Sequence, residues 1–140
     1  MESPLCSKSS SFADRILDMS DFLLEPKEEW SQTTVNGKTF DKKVKVYPKY
    51  SVEVCVKQCA RSGTSIGANV AEGQGVQSKA DLVAKLSIAY KEAKETEYWL
   101  ERLRNRKVLT VEMFTSMNND LQEILRLLIS SLNTLKNNKN

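Results

Sequence analysis

A chain of 140 residues, 40% hydrophobic and 28% charged, has the length and composition of one globular domain with a single core. Five glycines and three prolines are too few for the many tight turns of a sandwich or barrel, and histidine, the commonest general base and metal ligand, is absent. A net charge of +3 is too small to announce nucleic-acid binding by itself.

The apolar residues fall into four runs with alternating steps of four and three, the spacing that keeps one helix stripe against a neighbour. Phe12, Ile16, Met19 and Leu23, ending near Trp30, predict a first helix over 10–30. The residues before it lack a basic stretch followed by an apolar run, so they do not read as a signal peptide, and the expected location is the cytoplasm. No stretch approaches the roughly 18 apolar residues that span a membrane.

Residues 31–49 break the pattern. Asn36-Gly37 is a hairpin-turn dipeptide between β-prone residues, and Pro48 blocks helix on its N-terminal side. The segment reads as a long loop or a small hairpin inserted between helices one and two. Loops of that length in compact domains are usually functional or disordered.

Val52, Val56, Cys59, Gly63, Ile66 and Val70 predict helix two over 50–72. Cys55 and Cys59 share a face there, but a metal clip would lack its other ligands. With Cys6 they make an odd count, which suggests reduced thiols acting as small buried hydrophobes. Gly73 and Gly75 are expected to end this helix in the left-handed conformation. Ser78 should cap helix three, with Asp81 completing a capping box; Leu82, Leu86, Ala89, Ala93, Thr96, Leu100 and Leu103 extend it over 78–106. Thr110 should cap helix four, with Glu112 in its first turn. Phe114, Met117, Leu121, Ile124, Leu128, Leu132 and Leu135 carry it over 110–136, and the polar tail beyond should fray. The expected fold is therefore all-α: an up-down-up-down antiparallel four-helix bundle in a single domain spanning 1–140.

The most unusual segment is Arg61-Ser62-Gly63-Thr64-Ser65-Ile66-Gly67-Ala68-Asn69-Val70-Ala71-Glu72-Gly73. Two glycines inside a helix cost roughly 1 kcal/mol each against alanine, so something should offset them. Gly63 and Gly67 form one smooth strip, which serves either another subunit or close packing within the bundle. This segment, continued by Gln74-Gly75, then Ser78-Lys79-Ala80-Asp81, then Ser87-Ile88-Ala89-Tyr90-Lys91-Glu92-Ala93-Lys94-Glu95-Thr96-Glu97-Tyr98-Trp99-Leu100, resembles the four-helix-bundle proteins encoded in 23S ribosomal RNA intervening sequences. The resemblance implies a left-handed bundle able to assemble into a ring, often a pentamer. It also implies kinship with the accessory variability protein of diversity-generating retroelements, a basic barrel that binds reverse transcriptase and nucleic acid. Being encoded inside a ribosomal RNA insertion suggests a role with RNA. Residues 31–49 depart from the family's usual shorter link.

Ser65, Asn69 and Glu72 lie on one stripe of helix two, either as a polar network that fixes register or as a solvated face. Glu72, Glu92 and Glu95 cannot imitate a di-metal carboxylate bundle, which needs histidine, so neither a metal nor another cofactor is expected. Nothing marks Ser62 or Ser65 as an activated nucleophile, and no enzymatic activity is expected.

The positive charge is uneven. Lys38, Lys42, Lys43, Lys45, Lys49, Lys57 and Arg61 outnumber Asp41 and Glu53, and Arg102, Arg104, Arg106 and Lys107 end helix three at the same end of an up-down bundle. The leading expectation is a non-catalytic, ring-forming adaptor whose basic rim binds the backbone of RNA or DNA. Lys42, Lys43, Lys45, Arg61, Arg102, Arg104 and Arg106 would contact phosphate, with Tyr47 and Tyr50 as stacking surfaces. Gly63, Gly67, Ser65, Asn69, Glu72 and an exposed Trp99 would serve helix or subunit packing. The competing expectation is a scaffold that docks a reverse transcriptase or another protein, with no direct nucleic-acid role.

Overall fold

The computed structural model describes residues 3–137; the last residues of the tail expected to fray, and the first two of the N-terminal segment, lie outside them. The chain order is α1 Pro4–Leu24, β1 Lys27–Val35, β2 Lys38–Val46, α2 Tyr50–Gln74, α3 Lys79–Asn105 and α4 Val111–Asn137.

Helix α1 starts and stops earlier than the spacing suggested. Ser3 caps it by accepting a hydrogen bond from the Cys6 amide, and Pro4 occupies the first turn, where a missing N–H costs nothing. Pro26 stops it, because the residue before a proline is driven out of helical geometry; Glu25 there has ψ 128°. Trp30 therefore lies in β1 rather than on the first helix, and the insertion begins at Lys27 rather than at residue 31. Asn36 and Gly37 both take positive φ (52° and 76°), the two-residue turn that matches the twist of an antiparallel ribbon. The segment is thus an ordered hairpin with nine-residue strands paired from Lys27–Val46 to Val35–Lys38.

The helices pack in cyclic order: α2 lies between α1 and α3, and α4 between α3 and α1. The four stripes meet in one core, with Phe12, Ile16, Val56, Ile66, Val70, Leu100, Leu103, Leu121 and Leu128 almost wholly buried. Helix α2 approaches α1 closely along its glycine strip. A methyl at Gly67 would lie 3.1 Å from the Ser9 carbonyl oxygen, and one at Gly63 3.0 Å from Ile16 Cγ1. Gly73 stays helical against Leu82, and Gly75 has φ −98°, so neither takes the left-handed conformation expected of them. Helix α2 ends instead on a tightened turn in which the Gly75 amide bonds the Glu72 carbonyl. Ser78 and Thr110 cap α3 and α4 through the amides of Asp81 and Met113, both at 3.1 Å.

No helix packs on the ribbon beyond its root, where the Lys27 ammonium sits 5.8 Å from the Phe22 ring. Both faces of the ribbon are open to solvent along nearly its whole length.

Candidate nucleic-acid interface

The ribbon leaves the bundle at the end where α1 finishes, α2 begins, α3 finishes and α4 begins. Arg106 ties this end together by donating a 3.0 Å hydrogen bond to Ser51 Oγ in the first turn of α2. Arg104 lies over the Phe114 ring at 4.3 Å, joining α3 to α4. Arg102 lies over Tyr98 at 5.2 Å, with its Nε buried and without a partner among the described residues. None of the three has a carboxylate partner among the described residues. The α3 dipole favours cations at this terminus, and stacking on aromatic rings holds two of the guanidinium groups without neutralising them.

The ribbon adds lysines, but the pleat divides them. Trp30 stands opposite Lys43 and Glu28 opposite Lys45, so these four share one face. Lys42 lies on the other face, with Phe40 and Val44. The Lys43 ammonium sits 5.2 Å over the Trp30 ring and 4.0 Å from Glu28. Lys42 and Lys45 have no acidic partner among the described residues. Tyr47 and Tyr50, at the ribbon's root, are among the most exposed aromatic side chains.

Arg61 does not belong with this group. It lies midway along α2, where its guanidinium is bonded to Glu95 and lies 3.5 Å from Glu92, both on α3. Its charge is answered on the bundle's surface by carboxylates of the neighbouring helix.

The packing residues are also placed differently from one another. Gly63 and Gly67 are buried under α1, so the smooth strip serves contact within the chain. Ser65 and Asn69 bond each other, with Asn69 Nδ2 donating to the Ser65 carbonyl at 2.9 Å and to its hydroxyl at 3.2 Å. Glu72 is exposed and pairs with Lys85 at 2.7 Å, a solvated contact rather than a buried one. Trp99, expected on the surface, is half-buried against the core; its indole N–H has no partner among the described residues. The buried polar contact that ties α2 to α3 is Thr96 to Ser62, 2.8 Å apart, a pair the sequence reading did not connect. A threonine on an otherwise apolar stripe was its one signal. Among the described residues, no group of three or more His, Cys, Asp or Glu is placed to hold a metal ion. No helix among them is long and apolar enough to cross a membrane.

Residues 25–130 match the family described as 23S rRNA-intervening sequence protein. The chain belongs to this family. It is similar, at 42% identity and a TM-score of 0.70, to a protein of unknown function from the S23 ribosomal protein family of Bacteroides thetaiotaomicron VPI-5482; the likeness covers 91% of this chain and 97% of that one. Comparison with curated proteins finds no match. The range matched to the 23S rRNA-intervening sequence family takes in the ribbon, α2, α3 and most of α4, and so the whole basic end.

Proposed function

We propose that this protein is a non-catalytic RNA-associated adaptor that holds backbone phosphates at the ribbon-bearing end of its bundle. The observation that supports this is the group Arg102, Arg104 and Arg106: three cations at one helix terminus, with no carboxylate paired to them among the described residues and the ribbon's Lys43 and Lys45 rooted at the same end. Guanidinium and ammonium groups on a surface of this kind contact phosphate without reading base sequence. Trp30, Tyr47 and Tyr50 offer rings on which unpaired bases stack. Assembly into a ring, of five copies where the family resemblance is followed, would repeat the basic end around an axis and multiply the number of phosphates held.

Filter binding to a mixed-sequence RNA tests the reading. Affinity should fall steeply with salt, because each phosphate neutralised releases counterions. Arg102→Ala/Arg104→Ala/Arg106→Ala together should weaken binding at least about tenfold and reduce the salt slope by about two to three. Lys43→Ala/Lys45→Ala should act in the same direction, and Arg61→Ala should not. No detectable binding at low salt would remove the idea.

A further inference from the structure

Three exposed aromatic side chains belong to the ribbon and its root. Trp30 is 69% exposed, Tyr47 66% and Tyr50 79%, and none of them packs on the core. Rings left in water on a ribbon that no helix covers do nothing to stabilise the bundle. Their arrangement is nonetheless ordered. Alternate residues of a strand share a face, so Lys43 and Lys45 lie on the Trp30 side of β2. Tyr47 comes next in that alternation, and Pro48 after it keeps its backbone extended. From its middle to its root, one face of the ribbon therefore carries Trp30 beside Lys43, then Glu28 beside Lys45, then Tyr47. Tyr50 opens α2 directly before Ser51, whose hydroxyl holds Arg106. The rings thus continue the arginine group outward along the ribbon.

Charge does not account for this face. Lys43 and Lys45 are matched there by Glu28 and Asp41, and the Lys43 ammonium is shared between Glu28 at 4.0 Å and the Trp30 ring at 5.2 Å. A face without net charge draws phosphate weakly; what it offers is π surface. Lys43 lies on one side of the indole and steadies it by a cation–π contact while most of the ring stays in solvent. Tyr47 is four residues along the chain from Lys43, about 13 Å at the rise of a strand. That is too far for the two rings to clamp one base between them, and it suits bases taken in succession.

We infer that the Trp30 face is a stacking track for single-stranded RNA, so that the protein selects unpaired strands over duplex. This selectivity rests on the phosphate-holding role proposed for the α3 arginines and places the bases that go with those phosphates. A ring stacks only on a base whose own face is free. In an A-form duplex the base faces are covered by their neighbours, and the deep, narrow major groove does not admit a ribbon roughly 10 Å wide. On a single strand the backbone can rest against Arg102, Arg104 and Arg106 while successive bases turn onto Tyr50, Tyr47 and Trp30. Every base has a π-face, so the preference is for strandedness and not for sequence.

Fluorescence anisotropy on the full chain, with a short labelled RNA of mixed sequence either free or annealed to its complement, tests this. The single strand should bind at least about tenfold tighter than the duplex. Trp30→Ala and Tyr47→Ala should each weaken single-strand binding about tenfold and leave duplex binding unchanged. Neither should alter the salt slope, because no charge is lost. Their helical circular-dichroism signal should match the parent's, since neither ring touches the core. The single strand should also quench tryptophan emission in the parent chain and not in Trp30→Phe, which keeps only the half-buried Trp99. Equal binding of the two RNA forms, or single-strand binding indifferent to both ring variants, overturns the inference; the phosphate-holding role survives that result if the α3 arginine variant still loses RNA. Ring variants that weaken both forms alike overturn it too, by assigning the rings to the shape of the basic end. Absence of binding to either RNA removes both readings together.

Discussion

Thr96 on α3 donates a hydrogen bond to Ser62 on α2 across 2.8 Å, at a point where both side chains are fully buried. Ser62 in turn donates to the Cys59 carbonyl at 3.3 Å, and the Glu92 carbonyl lies 2.8 Å from Thr96 Oγ1 as a second acceptor. The pair sits in the core and ties α2 to α3. Ser62→Ala or Thr96→Val should each cost about 1 kcal/mol in urea unfolding. The double variant should cost less than the sum, by about 0.5 kcal/mol or more, because the two changes remove one shared bond. Strict additivity would show that the hydroxyls act separately.

The two glycines of α2 should respond differently to alanine. At Gly67 the new methyl meets the Ser9 carbonyl oxygen, part of the α1 backbone, at 3.1 Å, and only a helix shift can relieve it. A loss of about 1–3 kcal/mol is expected. At Gly63 the methyl meets Ile16 Cγ1 and Cγ2 at 3.0 and 3.2 Å, the stiff first branch of a buried side chain but not backbone, and the gain of about 1 kcal/mol in helix propensity offsets part of the strain. Thermal denaturation should rank Gly67→Ala below Gly63→Ala.

Lys107 carries φ 61° at the end of α3, a conformation that glycine takes freely and lysine does not. Its amide bonds the Arg104 carbonyl and the Val108 amide the Leu103 carbonyl, both at 2.9 Å, closing the helix in a Schellman motif. Lys107→Gly should therefore stabilise the protein by about 1 kcal/mol, seen as a higher unfolding midpoint. Lys107→Val should lower it.

Burial, reinforced by nearby Cys55, pushes the Cys59 thiol up to about 12 from an ordinary 9.0. The folded state thus holds this proton where the unfolded chain releases it. The stability that depends on it is intact below pH 9 and is lost as pH rises towards 12. Cys59→Ala should flatten that alkaline limb. In the native protein a thiol reagent should modify the half-exposed Cys55 quickly and Cys59 only on unfolding.

The lower end of the pH range is governed in part by Glu97. Its carboxyl is held below the usual range by hydrogen bonds from Lys94 and from Gln122 on α4. Its contribution is present above the ordinary carboxylate range and fades as acid protonates it. Glu97→Gln should lose less stability between pH 7 and pH 3 than the parent chain, measured by urea unfolding at each pH.

Helix registers were legible because α2, α3 and α4 bury side chains at steps of three and four, and Val56, Leu86 or Leu121 declare the buried side unaided. The ends of α1 were not, because Pro4 and Pro26 decide them, whereas the apolar spacing begins only at Phe12 and runs past Pro26 to Trp30. The ribbon was half legible: Asn36-Gly37 marked the turn, but strands with no covered face carry little alternation to detect. Among the basic residues, the grouping of the α3 arginines followed from topology. The separation of Lys42 from Lys43 and Lys45 required the pairing register, and the loss of Arg61 to Glu92 and Glu95 required knowing which faces of α2 and α3 meet.

Because the core closes without the ribbon, the chain between Glu25 and Lys49 can vary in length and content at no expense to the helices. A bundle built this way tolerates cargo: a foreign peptide spliced between Asn36 and Gly37 would be displayed at the tip of a stalk, while the unfolding midpoint of the four helices stayed where it was.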